Sequence, residues 1–593
     1  MKKALIISFI FIVAFTLNAG ERFSPDKVNI PLTFDDYYSY EMVVSAVKKL
    51  NNAFPELTKL DEVGKSEEGR IIYALTINNP KTGRELDKPG IYADGNIHGN
   101  EIQATEVTLY LANYLLTNYG KNDQITSLVD KKCFYIIPIV NPDGRYHFMT
   151  DGSNMNSNRG LRRPKDDDGD GLYDEDFPDD LDGDGNICRM RKKDPDGEFK
   201  THPDDPRLMV RVKKGEKGEW TMLGSEGIDN DGDGRINEDS EGFVDPNRNW
   251  GYDWAPNYVQ QGAGDYPFSG VGLKAISEYV VNRPNICMTW LFHNTGGMFL
   301  RGPSTKSQGE YPKADIDVYD FLGHQAERMV PGYRYLLSWR DLYSTYGDFG
   351  EWMAMTRGTY NFVGELYMST QETFSSIKET EKKEKAMKDD DDEEGGGFFG
   401  DRRLEHERLK FDDHLNQGGS FVEWKPFKHP VYGDIEIGGW AKFSTRLPPP
   451  FMLKDLVHRN ASAIIFSAKH TPEISLTISQ PEKIGKDLFR IRTELSNSRA
   501  IPTMSFHSKF KKLYPEDVLK VTGPGIKVIA GGMLLDKYTG KVKYKEFKPE
   551  VQFLTIPGFS KSEHQFLISG KGEVHFKYYS RHAGTITKTI SLK

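Results

Sequence analysis

Three pairs of a histidine and a glutamate, spaced three residues apart, are the first candidates for metal chemistry in this chain. Imidazole nitrogens and carboxylate oxygens both bind zinc, but the spacing alone is weak evidence in a sequence with 14 histidines. Two pairs have simpler interpretations: one is a surface contact within a helix-like segment, and the other belongs to a linker that contains a proline. In chain order, the pairs are His98/Glu101, His324/Glu327 and His470/Glu473.

The first pair differs from the others in its position. It lies in GNIHGNE (95–101), after a predicted buried strand and before a helical pattern at 102–119. Ligands of α/β sheets bind at the carboxyl ends of strands, and Gly95 and Gly99 are expected to let the backbone bend there. Catalytic zinc has three protein ligands and an open position for water. His293, which ends an apolar strand before a glycine-rich turn, is the best candidate for the third ligand.

The apolar pattern of residues 35–145 predicts the elements that would position these ligands. Helix-like and strand-like segments alternate, and CFYIIPIV (133–140) is typical of a strand buried on both faces of a sheet. We therefore expect an α/β domain. Two segments interrupt its pattern. Residues 151–245, rich in Asp and Gly, are expected to form a surface insertion, and residues 376–425, which contain the charge run EKKEKAMKDDDDEEGGG, are expected to be disordered.

The two ends of the chain have patterns of their own. Residues 1–20 combine two lysines, an apolar run and a small-residue end, which is typical of a cleaved secretory signal. We therefore expect a secreted or periplasmic protein. Residues 474–593 contain short segments of alternating apolar and polar residues, which predict strands, and their total length is that of a β-sandwich.

The composition excludes some classes of partner. A net charge of -9 leaves no excess of Lys and Arg to neutralise phosphates, so we expect no nucleic-acid binding. No stretch after the signal is apolar for long enough to span a bilayer. The three cysteines permit at most one disulfide. We expect the mature chain to be a monomer without a membrane span.

Several linked motifs make the chain resemble the zinc carboxypeptidase family typified by carboxypeptidase A. They occur in the family's order and local contexts, and YYSYEM, FPEL and VGKSEEGR open the domain in a similar way. The resemblance covers residues 34–470 apart from the two insertions, and it implies an α/β catalytic domain with a mixed sheet. The β-sandwich-like tail lies outside it. The motifs are HGNE (98–101), NPDG (141–144), VDPNRNW (244–250), His293 at a strand end and NFVGEL (361–366).

The resemblance implies a role for each matching residue. Asn247 and Arg248 would hold the C-terminal carboxylate of the substrate, which suits a guanidinium because its parallel N–H groups match a carboxylate. Glu365 would act as the general base, taking a proton from a zinc-activated water and passing it to the leaving amine. The zinc ligands that the resemblance implies are His98, Glu101 and His293.

Two further roles follow from the resemblance by position. Tyr343 lies 22 residues before Glu365, like the family's mobile tyrosine, although Tyr346 is close by. Arg191, in CRMRKK, resembles the arginine that polarises the scissile carbonyl, and Arg189 matches equally well. The proposed catalytic set is therefore a base, a tyrosine and an arginine.

Three aspartate-rich loops repeat the pattern Asp-x-Asp-Gly-Asp-Gly. Alternate carboxylates followed by glycine can wrap a hard cation, which suits calcium. None is a regular EF-hand, because position twelve is Phe177, Arg191 or Ser240 rather than glutamate. Since the second loop runs directly into Arg191, we hypothesise that calcium orders the insertion and helps to place that arginine. The carboxylates are Asp166, Asp168, Asp170, Asp180, Asp182, Asp184, Asp229, Asp231 and Asp233.

These observations favour a secreted zinc carboxypeptidase that hydrolyses the C-terminal peptide bond of peptides or proteins with a free C-terminus. Two alternatives stay open. One is a catalytically inactive, calcium-stiffened binding or adhesion protein, and the other is a relative that cleaves peptidoglycan peptides. Glu365 beside three metal ligands favours an enzyme, because a binding protein needs no base. The pair Asn247-Arg248 favours exopeptidase action.

Overall fold

The structure, a computed structural model, describes residues 22–166, 171–238, 241–368, 402–444 and 446–593. The predicted signal at 1–20, the charge run at 381–397, and Asp168 and Asp170 of the first aspartate loop lie outside these residues. None of the helices within the described ranges combines the length and the apolar character needed to cross a bilayer.

A mixed sheet of eight strands forms the centre of the first domain. The eight strands of this sheet are β1 (Thr58–Lys65), β2 (Ile71–Ile77), β3 (Gly90–Gly95), β4 (Cys133–Ile137), β11 (Ile286–Asn294), β12 (Met298–Arg301), β13 (Arg334–Leu337) and β14 (Tyr360–Leu366). Between β4 and β11 the chain forms strands that lie outside this sheet: β5 (Leu161–Arg162), β6 (Arg189–Lys193), β7 (Phe199–Thr201), β8 (Met209–Arg211), β9 (Trp220–Ser225) and β10 (Phe243–Val244). The sheet order is β1-β2-β4-β3-β11-β14-β12-β13, with β4, β3, β11 and β14 parallel to one another. Parallel neighbours end at the same edge of the sheet, so the carboxyl ends of β3, β11 and β14 lie side by side.

Two apolar cores lie on opposite faces of this sheet, because alternate residues of one strand point to opposite sides. On β3, Ile91 and Ala93 belong to one core and Tyr92 to the other. This arrangement confirms the predicted α/β domain. The α-helices within the described ranges are α1 (Tyr40–Ala53), α2 (Gln103–Asn118), α3 (Asp123–Lys131), α4 (Pro142–Thr150), α5 (Val271–Val281), α6 (Lys313–Met329), α7 (Phe349–Trp352), α8 (Arg402–Phe411), α9 (Pro450–Lys469) and α10 (Phe506–Lys511).

Strands of the aspartate-rich segment, which was predicted to be an insertion, join a later segment to form a second sheet that the sequence did not predict. Strands β15 (Phe421–His429) and β16 (Gly433–Trp440) continue into β6, β9, β7 and β8 to give six strands. The predicted disorder of 376–425 therefore does not hold for residues 402–425, which form α8 and the start of β15. The reason is a small apolar core, in which Leu409 and Phe421 pack with Leu208 of the insertion.

Residues 474–593 form two antiparallel sheets around a common apolar core, in agreement with the predicted sandwich-like domain. One sheet has the order β17-β19-β24-β21-β22, with β18 beside β19, and the other has the order β23-β20-β25-β26. The strands are β17 (Ile474–Ile478), β18 (Glu482–Gly485), β19 (Leu488–Asn497), β20 (Asp517–Thr522), β21 (Ile526–Asp536), β22 (Lys541–Tyr544), β23 (Val551–Leu554), β24 (Ser560–Gly570), β25 (Gly572–Ser580) and β26 (Gly584–Leu592).

Candidate metal centre and active site

His98, Glu101 and His293 meet at the carboxyl edge of the large sheet. His98 follows β3, and Glu101 donates its N–H to the His98 carbonyl at 3.1 Å, while His293 lies on the neighbouring parallel strand β11. His98 Nδ1 lies 3.0 Å from Glu101 Oε1, and His293 Nδ1 lies 3.0 Å from Glu101 Oε2. The two imidazole nitrogens are 3.2 Å apart. The structure thus brings the three expected ligands together as buried, converging donors.

This donor set fits zinc, because two imidazoles and one carboxylate are ligands of catalytic zinc sites. A second carboxylate orients one of the rings: His98 Nε2 lies 3.0 Å from Asp245 Oδ1. Burial opposes a charge on Asp245, but the charges of His98, Arg248 and Arg159 outweigh it and hold the pKa of Asp245 well below its ordinary value. The sequence analysis did not identify Asp245, although this residue begins the DPNRNW motif.

Glu365 stands beside the three donors because its strand, β14, pairs with β11 in parallel and places it opposite His293. Desolvation raises the pKa of Glu365 to about 7, although the charges of His293, Arg159 and Arg446 act in the opposite direction. A carboxyl group that titrates near neutral pH can both accept and release a proton there. The position and the pKa of Glu365 both suit a general base.

Asn247, Arg248 and Tyr343 lie near the donors. Asn247 Nδ2 is 3.5 Å from His293 Nε2, and Arg248 Nη1 donates to the Asn247 carbonyl oxygen at 2.8 Å. Tyr343 is 50% exposed. Desolvation raises its pKa, and the charges of Glu365 and Arg248 also act on it, so the Tyr343 hydroxyl is within electrostatic reach of both. The expected tyrosine and the expected carboxylate-binding pair therefore share one region.

Arg191 does not reach the donors, and its expected role in polarising the carbonyl is wrong. It lies on β6 in the second sheet, where its guanidinium is 4.1 Å from the ring centroids of both Trp220 and Trp424. Its Nε donates to Glu436 Oε2 at 2.8 Å. Arg189, the alternative, is an exposed residue of the same strand. The hypothesis that calcium places Arg191 in the active site fails for the same reason.

Arg159 occupies the position that the sequence analysis gave to Arg191. Its Nη1 lies 3.2 Å from Glu101 Oε1, its Nη2 lies 3.0 Å from His98 Nε2, and its Nε lies 3.3 Å from Asp245 Oδ2. The side chain is 29% exposed, so part of it is open to a ligand. Arg159 precedes the aspartate loops, whereas Arg191 lies among them. The predicted bounds of 151–245 enclosed both arginines, and the first aspartate loop at Asp166, which follows Arg159, was the signal that could have separated them.

The aspartate loops form two acidic groups within the described ranges, and in each group the carboxylate oxygens lie within 4.8 Å of one another. The second loop is joined by Glu226, a buried residue that the sequence analysis missed. Asp184 of that loop instead accepts the N–H of Asn186 at 2.8 Å. Of the first loop's carboxylates only Asp166 is described. The two groups are Asp180, Asp182 and Glu226, and Asp229, Asp231 and Asp233.

The other two His-x-x-Glu pairs have the ordinary structural roles expected of them. His324 Nδ1 lies 3.1 Å from Glu327 Oε2 on the surface of α6. Glu473 forms ion pairs with Lys131 and Arg499, each at 2.7 Å. In the part of the chain that the structure describes, neither pair has a third metal-ligating side chain beside it.

Comparison with known proteins gives a family match for most of the first domain. The family model described as zinc carboxypeptidase matches residues 43–387, and that of a domain of unknown function, DUF8731, matches residues 473–591. The chain is similar to metallocarboxypeptidase A of Trichophyton tonsurans, with 40% identity over 126 residues, 21% of this chain and 29% of that protein. It is also similar to carboxypeptidase D of Homo sapiens, with 38% identity over 117 residues, 20% of this chain and 8% of that protein.

These alignments span less than a third of either relative. Among solved structures, the chain is similar to carboxypeptidase A from Helicoverpa armigera, with 18% sequence identity and a TM-score of 0.41. That comparison covers 74% of this chain and 76% of the other.

Proposed function

We propose that this chain, which belongs to the zinc carboxypeptidase family, hydrolyses the C-terminal peptide bond of peptides or proteins. The observation that carries the proposal is the convergence of three zinc-type donors at the sheet edge, with Glu365 opposite one of them. A site that only held a metal would have no need of the additional carboxyl group of Glu365 opposite His293.

The substrate is held at its end. The Arg248 guanidinium and the Asn247 amide bind the terminal carboxylate, because a guanidinium can donate two parallel hydrogen bonds to it. The last peptide bond is then the one presented to the metal ligands. Zinc, when bound there, supplies a Lewis acid that acidifies water and polarises the carbonyl group.

The chemical step uses the other side chains of the site. Glu365 takes the proton of the attacking water and transfers it to the leaving nitrogen. Arg159 donates hydrogen bonds to the carbonyl oxygen as negative charge develops on that atom. Tyr343, which is half exposed and close to both Arg248 and Glu365, closes over the bound C-terminal residue.

A mixed peptide library, incubated with and without a zinc chelator and followed by mass spectrometry, tests the reaction and its side-chain preference together. We expect losses of single C-terminal residues that the chelator abolishes and that a C-terminal amide prevents. Internal cleavage, or cleavage of amidated peptides, would contradict exopeptidase action. Hydrolysis of peptidoglycan peptides alone would favour the second alternative, and retention of uncut peptides would favour a binding protein.

The role of Glu365 has its own test. Glu365→Gln should lower kcat by about 10³-fold or more, because the proton of the attacking water then has no acceptor. Zinc content, measured by atomic absorption, should stay at the level of the unaltered protein. The matched control is Glu327→Gln, in a His-x-x-Glu pair on the surface of α6, which should keep full activity. A Glu365→Gln protein with near-normal kcat would remove the residue from the mechanism.

We further propose that the aspartate loops bind calcium as a structural ion. The support is the threefold sequence repeat and the two groups of carboxylates that lie close together. Calorimetric titration of calcium into chelated protein should give saturable binding, and Asp182→Asn and Asp231→Asn should each remove part of it. Unchanged heats in both variants would contradict the proposal.

We also propose that the protein is exported and acts as a monomer outside the cytoplasm. The support for export is the pattern of residues 1–20, and the support for a monomer is the sequence-based expectation alone. N-terminal sequencing of protein recovered from an expressing culture should show loss of this segment. Light scattering coupled to size-exclusion chromatography should give the mass of one chain.

A further inference from the structure

The charge of the chain is distributed unevenly along its length. Residues 474–593, the C-terminal domain, contain 21 lysines and arginines against 10 aspartates and glutamates, a net charge of +11. Since the whole chain has a net charge of -9, residues 1–473 have a net charge of -20. The value for the whole chain therefore hides a cationic domain, and the charge of a domain affects which partners it attracts.

Part of this positive charge lies on the outer face of the sheet β23-β20-β25-β26. Alternate residues of a strand point to opposite faces, and Leu519 and Val521 of β20 belong to the apolar core, so Lys520 between them points outward. Lys520 lies directly opposite Lys577 of β25, and both are exposed. Like charges in opposite positions of a strand pair repel each other and destabilise the pair.

The fold does not offset this repulsion with an ion pair. Neither Lys520 nor Lys577 has a carboxylate partner among the described residues, whereas Lys561 of the other sheet pairs with Glu494 and Glu563. An anion from outside the chain would relieve the repulsion between the two lysines.

Exposed aromatic rings lie beside the two lysines. Phe553 of β23 and Tyr579 of β25 both lie opposite Val518 of β20, so the three side chains form a row across the sheet, next to the row that contains the lysines. Phe553 is 56% exposed and Tyr579 is 53% exposed. The ammonium group of Lys545 lies 4.7 Å from the centroid of the Phe553 ring and adds a third cation.

Hydroxyl groups continue the same face on the edge strand β26. Thr585 lies opposite Tyr579, and Thr587 lies opposite Lys577. Both threonines are exposed, as is Thr589 two residues further along the strand. We call the group of three cations and two aromatic rings the basic face: Lys520, Lys545, Lys577, Phe553 and Tyr579.

The composition of the basic face suits an acidic polysaccharide. Its ammonium groups can neutralise the carboxylate or sulfate groups of such a polymer, and its exposed rings can pack against the apolar faces of sugar rings. The neighbouring threonine hydroxyls can both donate hydrogen bonds to sugar hydroxyls and accept them.

Two other classes of anionic partner fit less well. Duplex nucleic acid carries one charge per about 1.7 Å, so residues 1–473, with a net charge of -20, would repel it more strongly than a polymer with one charge per sugar. A lipid surface is bound by apolar side chains gathered on one side of an amphipathic element, whereas a whole strand, β20, separates Phe553 from Tyr579.

We propose that the basic face binds an acidic polysaccharide and so holds the protein at a surface that displays one. The inference is independent of the proposed peptidase activity, because the basic face lies in the C-terminal domain and includes none of the metal-ligating side chains. It gives a role to residues that match a domain of unknown function.

Binding of the full chain to immobilised alginate, a polymer of sugar carboxylates, in calcium-free buffer tests the proposal, with neutral dextran as the uncharged comparison. We expect saturable binding to alginate only, and a Kd that rises with NaCl concentration because salt screens exposed charges. Lys520→Glu with Lys577→Glu should raise Kd about tenfold or more. The matched control, Lys541→Glu with Lys543→Glu on β22 of the other sheet, makes the same change in net charge and should raise Kd less than about threefold.

The aromatic rings have a separate test, which leaves the net charge unchanged. Phe553→Ala and Tyr579→Ala should each raise the Kd for alginate about threefold or more, because each removes a ring that packs on the polymer. Tyr538→Ala, at an exposed position between β21 and β22, is the control and should leave Kd unchanged. Peptide hydrolysis should be the same in all these variants as in the unaltered protein.

Several results would overturn the proposal. Equal losses in the two charge-reversal variants would show a general effect of net charge, and equal binding to alginate and dextran would exclude recognition of an anion. Tighter binding to anionic phospholipid vesicles or to duplex DNA would assign the face to a membrane or a nucleic acid. Self-association in low salt, measured by light scattering, that the Lys520 and Lys577 changes abolish would assign it to a second copy of the chain. A thermal unfolding measurement identifies a misfolded variant, and Lys520→Gln with Lys577→Gln then decides.

Discussion

Arg159 and Arg191 have the same type of side chain but lie in two different environments. The environment decides which groups each guanidinium can bind. Arg191 lies between two indole rings and bonds to Glu436, so its donors are used within the second sheet. Arg159 is shared between Glu101 and Asp245, at the edge of the proposed metal site. The motif alone could not separate them, because both are basic residues between NPDG and DPNRNW.

Arg159→Lys should lower kcat by about 10²-fold or more, because an ammonium group cannot supply the same fork of donors to the developing oxyanion. Arg191→Lys should change kcat by less than about threefold, since that residue does not touch the site. Steady-state kinetics of the two variants on one peptide measure the contrast. The opposite result, with Arg191→Lys impaired and Arg159→Lys active, would restore the original assignment.

Removal of the metal should both abolish activity and destabilise the fold, because a buried group of two histidines and a glutamate is then left without its cation. A ligand at about 100 times its Kd stabilises the folded state by about 2.7 kcal/mol. Differential scanning fluorimetry should therefore show a lower Tm after chelation, and zinc should restore both Tm and turnover. Full restoration by magnesium, which prefers oxygen ligands, would argue against zinc.

At the scale of elements, local patterns predicted the segments with a clear apolar pattern, including β11, although its partner β3 lies far away in the chain. The helical pattern after GNIHGNE is α2, and CFYIIPIV contains β4. The strands of the aspartate-rich segment were missed because they are short, and one of their pairings is with a distant part of the chain: Arg191 on β6 lies opposite Glu436 on β16. Such a pairing leaves no periodic signal within either segment.

The two glycines of GNIHGNE were expected to let the backbone bend, but the structure indicates a different need for glycine there. Neither has a left-handed backbone. A Cβ atom on Gly99 would lie 2.2 Å from the Asn158 carbonyl oxygen and 2.4 Å from Gly144 of the NPDG turn. Gly99 therefore allows three segments to approach closely: the ligand-bearing loop, the turn and the chain that leads to Arg159.

Gly99→Ala should separate these segments, destabilise the protein by about 1–3 kcal/mol and reduce kcat, because overpacking forces the backbone to shift. Urea denaturation and peptide hydrolysis measure the two effects. Gly485→Ala is the matched control, since a Cβ there would meet its nearest neighbour, Leu488 Cβ, at an ordinary contact distance of 3.5 Å. Normal activity in Gly99→Ala would show that the ligand loop tolerates a displacement.

At the scale of the whole molecule, the C-terminal domain (474–593) contacts the first domain through hydrogen bonds and ion pairs, in addition to the covalent connection. Asp315 on α6 accepts the N–H groups of Phe506 and His507 at 2.9 and 2.8 Å. Arg581 Nε donates to the Pro284 carbonyl oxygen at 2.7 Å. These contacts pack residues 474–593 against the first domain.

Glu473 connects the two parts, because it pairs with Lys131 of α3 and with Arg499 after β19. Burial opposes its charge, but the hydrogen bonds from Lys131 and Arg499 outweigh burial and lower its pKa from 4.5 to about 2. A carboxyl group with a lowered folded-state pKa stabilises the fold fully above its unfolded pKa. That contribution is lost as the pH falls from about 4.5 to about 2.

Glu473→Gln should therefore lower the free energy of unfolding by about 1 kcal/mol at pH 7, and the difference from the unaltered protein should shrink as the pH falls below 4.5. Urea denaturation of both proteins at pH 7, 5 and about 3 measures this difference in the free energy of unfolding. Glu482→Gln, in an exposed pair with Arg490, is the control and should have a smaller effect at every pH. A difference that stays constant with pH would show that the effect is not electrostatic.

The amino-acid sequence by itself determined the local elements and the chemical identity of the candidate site: a histidine and glutamate after one strand, a histidine at the end of another and a glutamate on a third. These follow from short-range patterns and from motifs in a fixed order. Only the tertiary structure decided which arginines lie beside the metal-ligating side chains. Arg159 and Arg446 lie 58 and 345 residues from Glu101 in the chain, and no local pattern encodes which basic side chain will lie beside a given carboxylate.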